Sequence, residues 1–238
     1  DPAGRRISYL RLSVTDRCDM RCLYCMSESM TFLPRDDVLD YDELVRLARV
    51  FVRQGVRRLR ITGGEPLVRK DIGHFLLALQ PLLGRGDEPE RLDEITLTTN
   101  GSRLGEFAEL LVRAGVKRVN VSLDTLDAAR FAQITRRGRL ATTLDGIRAA
   151  REAGLAVRIN TVAMAGTNED EFDSPRAWWG DIGADLCLIE TMLMGATGHS
   201  GIARDLPPSD GLSAPATRRT LAARPHRTAG PWRHIREG

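Results

Sequence analysis

Six short runs rich in Val, Ile, Leu and Thr recur along the chain, at Tyr9–Thr15, Arg57–Thr62, Glu94–Thr99, Arg118–Asp124, Ala156–Val162 and Asp185–Thr191. Segments with helical apolar spacing separate them. Tyr41–Gln54 places Leu44, Leu47, Ala48, Phe51 and Val52 on one face. Ile72–Leu83 does the same with Phe75, Leu76 and Leu79, and Leu104–Ala114 with Phe107, Leu110 and Leu111. Thr143–Ala153 follows, then a poorer candidate at Glu171–Ile182. Gly55, Gly115 and Gly154 each stand just past a helix, as C-terminal caps do. Strand–helix alternation with apolar strands predicts a parallel sheet with helices outside it. Six such units fit an open sheet or an incomplete (β/α) barrel, and in both the polar sites collect at the C-terminal ends of the strands.

That rule singles out four motifs. The first run is followed by Cys18, Cys22 and Cys25 in C-x3-C-x2-C spacing, and the second by Gly63-Gly64-Glu65-Pro66. The third ends in Thr98-Thr99-Asn100-Gly101 and the fourth in Ser122-Leu123-Asp124. The cysteine trio supplies three thiolates and no fourth, whereas a structural zinc site takes four protein ligands. Most protein iron–sulfur clusters take four as well. A cubane held by three cysteines keeps one iron open for a ligand. The competing reading is a chance group of buried thiols or a disulfide framework, but such frameworks belong to much shorter chains. The fourth cysteine, Cys187, lies within the last run and reads as a buried core thiol. Gly63-Gly64 at a strand end lets the backbone approach a ligand closely.

Composition narrows the remaining classes. The 238 residues are 42% hydrophobic and 28% charged, as in a soluble globular protein with a sizeable core. No run of about 18 apolar residues occurs, so no membrane helix is expected. The opening Asp1-Pro2-Ala3-Gly4-Arg5-Arg6 does not read as a secretory signal, and clustered thiols suit a reducing compartment, so the expected location is the cytoplasm. The net charge of +3 divides into −1 over residues 1–200 and +4 over 201–238, which argues against nucleic acid as a partner of the folded body. Residues 201–238 hold five of the eleven prolines and only five Val, Ile, Leu, Phe or Met. The expected organisation is therefore a core over 1–198 and an irregular basic tail over 199–238, expected to be disordered.

Taken together, the quoted motifs resemble the radical S-adenosylmethionine (SAM) superfamily. Within it they are most similar to the GTP 3′,8-cyclase family of molybdenum cofactor biosynthesis. The likeness is carried by Tyr9–Cys18, Leu59–Asp71, Leu97–Gly101, Val119–Asp124, Ile134–Arg137 and Ile159–Val162, and covers residues 4 to about 198. The resemblance implies an incomplete (β/α)6 TIM-like barrel of the radical SAM type. It implies one [4Fe–4S] cluster on Cys18, Cys22 and Cys25, with SAM on the open iron. SAM contacts map onto Tyr24, Gly64, Ser122 and Met192, and GTP contacts onto Arg11, Arg60, Thr98 and Arg158. Arg11 and Arg60 alternate with apolar neighbours and would face the barrel interior. The implied reaction is that of a lyase. GTP becomes (8S)-3′,8-cyclo-7,8-dihydroguanosine 5′-triphosphate through a 5′-deoxyadenosyl radical, with flavodoxin or ferredoxin as electron donor and a homodimer as the assembly.

The chain departs from the family pattern near its end. A second, C-terminal cluster on three further cysteines is usual, and after Cys25 this sequence holds only Cys187. Arg158 stands where the family more often has lysine, Cys187 where it has arginine and Leu193 where it has proline. Two other readings therefore stand beside the enzyme: an inactive truncated fragment that keeps only cluster and SAM binding, and a radical SAM enzyme with another substrate.

Overall fold

The computed structural model describes residues 4, 6–84, 90–164, 166–172, 184–190 and 232–235. Two compact units arise from the chain. The first comprises Asp1–Asp19, Thr31–Asn120 and Thr142–Ala156, and the second Met20–Met30, Val121–Ala141 and Val157–Gly238.

In the first unit, β1 (Tyr9–Ser13), β2 (Arg58–Thr62), β3 (Glu94–Thr99) and the start of β4 (Val116–Ser122) lie side by side in chain order. The β1–β2 and β2–β3 pairs are parallel, with Arg11 opposite Arg60, Ser13 opposite Thr62 and Arg60 opposite Thr96. Leu59 and Ile61 are buried on one face of β2, while Arg58, Arg60 and Thr62 alternate onto the other. Ile95, Thr96 and Leu97 are all buried, as in a parallel strand covered on both faces.

The helices of this unit follow from their caps and apolar stripes. α1 (Tyr41–Arg53) starts on a reciprocal capping box: the Glu43 amide donates to Asp40 Oδ1, and the Asp40 amide to Glu43 Oε2, both at 2.8 Å. It buries Leu44, Val45, Ala48 and Val52. α2 (Ile72–Leu79) buries Ile72, Phe75, Leu76 and Leu79, then tightens into a 3-10 turn at Gln80–Leu82, where Pro81 has no amide to continue the helix. α3 (Leu104–Arg113) buries Leu104, Ala108 and Leu111. Gly55 and Gly115 take φ of +98° and +79° just past α1 and α3, the left-handed cap expected of them.

The second unit holds the end of β4, then α4 (Ala128–Thr135), β5 (Ala156–Ala163), β6 (Asp185–Glu190) and β7 (Trp232–Ile235). β5 and β6 are parallel, with Arg158 opposite Asp185 and Asn160 opposite Cys187. Ile134, Val162 and Met164 form a buried cluster against which Tyr24 and Ile189 pack. Cys187 is 3% exposed, in keeping with a core thiol.

Three details differ from expectation. α4 was not foreseen, because its eight residues carry only Phe131 and Ile134 as large apolar positions; what starts it is Asp127, whose Oδ1 accepts the Arg130 amide at 2.7 Å. α5 (Leu140–Glu152) begins three residues before the expected Thr143. Within the tail expected to be disordered, Trp232–Ile235 forms β7 and pairs antiparallel with β6, Leu186 opposite Ile235 and Ile189 opposite Trp232. A four-residue run with Trp and Ile has the β-propensity to pair with a strand edge that offers unfilled backbone hydrogen bonds. The rest of 199–238 lies outside the described residues, as does most of the helix expected over 171–182, of which a 3-10 turn at Glu169–Phe172 is seen.

Candidate functional site

The strand ends of the first unit are tied together by backbone. Gly64 donates its amide to Thr15 O at 2.7 Å and Glu65 to Arg17 O at 2.8 Å, joining the turn after β2 to the chain leading into Cys18. Gly64 is glycine for a steric reason. A Cβ there would lie 2.4 Å from Arg17 O and 2.7 Å from Asp16 O, and neither backbone atom can swing aside. Arg69, just past the same turn, donates from one Nη to Val14 O at 2.5 Å and from the other to Leu39 O at 2.7 Å.

Glu65 lies beneath this turn, fully buried. Its carboxylate accepts from the Leu67 amide at 3.0 Å, Thr99 Oγ1 at 2.8 Å and the Asn100 amide at 2.6 Å. Desolvation pushes its pKa up to about 7 against the pull of those three donors. Asn100, at the end of β3, passes the connection on. Its Nδ2 donates to Asp19 Oδ1 at 2.7 Å and lies 3.8 Å from Cys18 Sγ. Ser102 Oγ donates to the other Asp19 oxygen at 2.6 Å.

In the second unit, Arg21 and Leu23 donate their amides to Thr135 O and Ile134 O at the end of α4, both at 3.0 Å. The amides of Cys25 and Met26 both turn back to Cys22 O, at 3.0 and 3.1 Å, so Cys22–Met26 makes one tight turn. Tyr24 Oη donates to Asp124 Oδ2 at 2.8 Å, and Asp124 Oδ1 accepts the Val162 amide at 2.8 Å. Asn168 clamps the far side, donating to Asp124 O at 2.7 Å and Val162 O at 2.9 Å. Burial pushes Asp124 up to about 6, and burial together with the Asp124 charge raises Tyr24 well above its ordinary value, so the phenol stays a donor.

All four cysteines are unbridged thiols, with Cys18 and Cys22 half-buried and Cys25 exposed. Among the described residues no three His, Cys, Asp or Glu side chains gather as ligands of a single ion. A cluster takes its thiolates on separate irons, so its ligands stand wider apart than those of one ion. The donor set, three unbridged thiols within eight consecutive residues, fits such a group.

The other expected contacts fall as follows. Ser122 is half-buried at the end of β4, and Met192 lies outside the described residues. Thr98 on β3 has a buried Oγ1 without a hydrogen-bond partner. Arg60 is half-buried, its guanidinium 5.4 Å from the Tyr9 ring centroid. Arg158 pairs with Asp185 at 3.1 Å. Arg11 corrects an expectation: it is exposed, not enclosed as an inward-facing strand residue would be. As the partner of Arg60 on β1, the first strand, it is covered on fewer sides. Sequence reasoning quoted Glu65, Asn100 and Asp124 but gave them no role. Their place at strand ends beside glycine or serine was the available signal.

Comparison with known proteins places this geometry. The Radical SAM superfamily profile matches residues 12–174. The chain is 53% identical over 237 residues to the GTP 3′,8-cyclase of Paracoccus denitrificans (strain Pd 1222), covering 99% of this chain and 67% of that protein. It is 51% identical over 236 residues to the GTP 3′,8-cyclase of Rhodopseudomonas palustris (strain TIE-1), with the same two coverages. The chain thus spans about two thirds of the length of these relatives, and the alignments continue past residue 198, where the sequence reading ended the likeness. In structure it is similar to Streptococcus suis SuiB bound to S-adenosylmethionine, with a TM-score of 0.66 at 19% identity over 83% of this chain and 43% of that one. That likeness shows the fold, the six-strand parallel α/β arrangement expected of an incomplete (β/α)6 barrel. The profile and the relatives together settle the assignment: the chain belongs to the GTP 3′,8-cyclase family of the radical SAM superfamily.

Proposed function

We propose that this chain binds one [4Fe–4S] cluster through Cys18, Cys22 and Cys25, binds SAM beside it, and acts on GTP as the relatives' name describes. When bound, the cluster supplies the electron that splits SAM into methionine and a 5′-deoxyadenosyl radical. The chain's own residues do the holding and shielding. The three cysteines fall within eight consecutive residues, so chain connectivity alone keeps their thiols close. Gly64 lets the turn after β2 pack directly on the Asp16–Arg17 backbone that leads into Cys18, and Tyr24, the residue before Cys25, is held by Asp124. Ser122, and Met192 outside the described residues, are the further SAM contacts that the family resemblance implies.

For the nucleotide, Arg11 and Arg60 stand opposite each other on neighbouring strands and offer two guanidinium forks to a triphosphate. Thr98 Oγ1 is the buried hydroxyl without a partner on the adjacent strand, suited to a ribose or phosphate oxygen. Arg158 serves there only by sharing its charge with Asp185. A one-electron donor such as flavodoxin or ferredoxin supplies the cluster, and a homodimer is the proposed assembly. The reading is carried by one observation: the GGEP turn is hydrogen-bonded, amide to carbonyl, to the segment that enters the cysteine loop.

The test is anaerobic assay of the reduced chain with SAM and GTP, following 5′-deoxyadenosine and cyclised nucleotide separately. 5′-Deoxyadenosine that forms only with all three cysteines intact supports SAM cleavage here. A chain loaded with iron that forms none rejects it. We expect cyclised nucleotide to form more slowly than 5′-deoxyadenosine, because Arg11 is open to solvent and Arg158 is already paired, and misplacement of a substrate by ~1 Å can cost about a hundredfold in rate. Stoichiometric cyclised product overturns that second expectation.

A further inference from the structure

Asn100 is the residue on which the cysteine loop and the strand ends of the first unit converge. Every polar atom of it is engaged. Its amide donates to Glu65 Oε2 at 2.6 Å, and its carbonyl accepts from Thr143 Oγ1 at 3.2 Å. Its Oδ1 accepts the Ser102 amide at 2.9 Å. That last bond decides which way the side-chain amide points, because Oδ1 must meet an N–H and Nδ2 must therefore face the loop. There Nδ2 divides its two hydrogens between Asp19 Oδ1 at 2.7 Å and Cys18 Sγ at 3.8 Å.

We propose that Asn100 is a positioning residue that donates a hydrogen bond to the Cys18 sulfur and thereby raises the reduction potential of the cluster bound there. The inference rests on the cluster reading above. Hydrogen bonds to the ligand sulfurs are among the determinants of cluster potential, since they stabilise the more negative, reduced state. The surroundings make the donor matter. Asp19, next to Cys18 in the chain, puts a carboxylate 3.9 Å from the same sulfur. Asn100 and Ser102 both donate to that carboxylate, so its charge beside the sulfur is partly compensated. The support is built in depth. Glu65 is fully buried and holds the Asn100 backbone, while Thr143, also fully buried, holds its carbonyl from α5. The amide is thus fixed before any cluster arrives, and its hydrogen bond costs little reorganisation.

The experiment uses the full chain, reconstituted anaerobically, as wild type, Asn100→Ala and Asn100→Asp. Far-UV circular dichroism of each apo-chain checks folding, bound iron is counted, and the midpoint potential is read by electron paramagnetic resonance during a reductive titration. Asn100→Ala removes the donor. Asn100→Asp keeps the shape and the acceptor for the Ser102 amide, but replaces the donor with a carboxylate oxygen. We expect both to load iron as wild type does, and both midpoints to move negative. At a fixed solution potential the reduced fraction should fall about tenfold in Asn100→Ala, a shift of about 59 mV for one electron, and further in Asn100→Asp. An iron-loaded variant with the wild-type midpoint overturns the inference. So does a result in which both variants fold but neither holds iron, since Asn100 would then support the loop and not tune the cluster. A wild-type chain that takes up no cluster fails at an earlier step, and overturns the reading on which the inference rests.

Discussion

At the residue scale, Glu65 shows how a buried acid can organise a site without touching ligand. Its three donors come from Leu67, Thr99 and Asn100, so one carboxylate ties the turn after β2 to the end of β3. Burial still wins over these donors and lifts its pKa to about 7 from an ordinary 4.5. A folded-state pKa above the unfolded one means the folded chain holds the proton more tightly. The contribution of this group to stability is therefore full below about pH 4.5 and is lost as pH rises through about 7. Urea unfolding of the apo-chain from pH 5 to 8 should show wild-type stability falling more steeply than that of Glu65→Gln. Asp124, raised to about 6 and present in both proteins, cancels from the comparison. Parallel curves would show that Glu65 stays ionised throughout. Sequence reading found this residue only as one letter of a Gly-Gly-Glu-Pro run, because nothing local announces that a glutamate will be buried.

At the scale of elements, the decisive contact is between the end of β2 and the segment that follows β1. The Gly64 and Glu65 amides reach Thr15 O and Arg17 O, and there is no room for a side chain at Gly64. Gly64→Ala must push a Cβ into backbone, at a cost of about 1–3 kcal/mol if the strands stay put. We expect the chain to fold and the cysteine loop to give way, since α1 starts on its own capping box and α1 to α3 each bury an apolar stripe. Iron per chain after reconstitution should then fall at least severalfold in Gly64→Ala while the thermal midpoint drops by only a few degrees. Full iron uptake by the variant would show that the loop can hold the cluster without this support. The elements themselves were largely legible. The six strands appear within a few residues of their expected ends, because each is an apolar run bounded by turn residues. α4 was hidden, since eight residues with two large apolar side chains carry too little periodicity to read.

At the scale of the whole molecule, chemistry should divide between the clustered thiols and the remote one. Cys22→Ala is expected to abolish iron binding, whereas Cys187→Ala should retain about four iron per chain, as one cubane holds. Cys187 sits 3% exposed in β6, so its loss is felt as a small cavity and read as lower stability, not as lost iron. Equal iron loss in both variants would break the assignment. By itself, the sequence determined the alternation of strands and helices, the thiol trio and the glycine turn after the second strand. These are local patterns, set by side-chain periodicity and by residues that only certain turns accept. It also carried the family, through motifs long enough to be specific. Only the tertiary structure decided that Arg11 is exposed, that Arg158 is paired with Asp185, that Tyr24 is held by Asp124, and that Asn100 points its amide at Cys18. Each depends on burial or on a partner far away in sequence, from 27 residues for Arg158 to 100 for Tyr24. Burial and distant pairing are properties of the packed chain, and no window of neighbouring residues contains them.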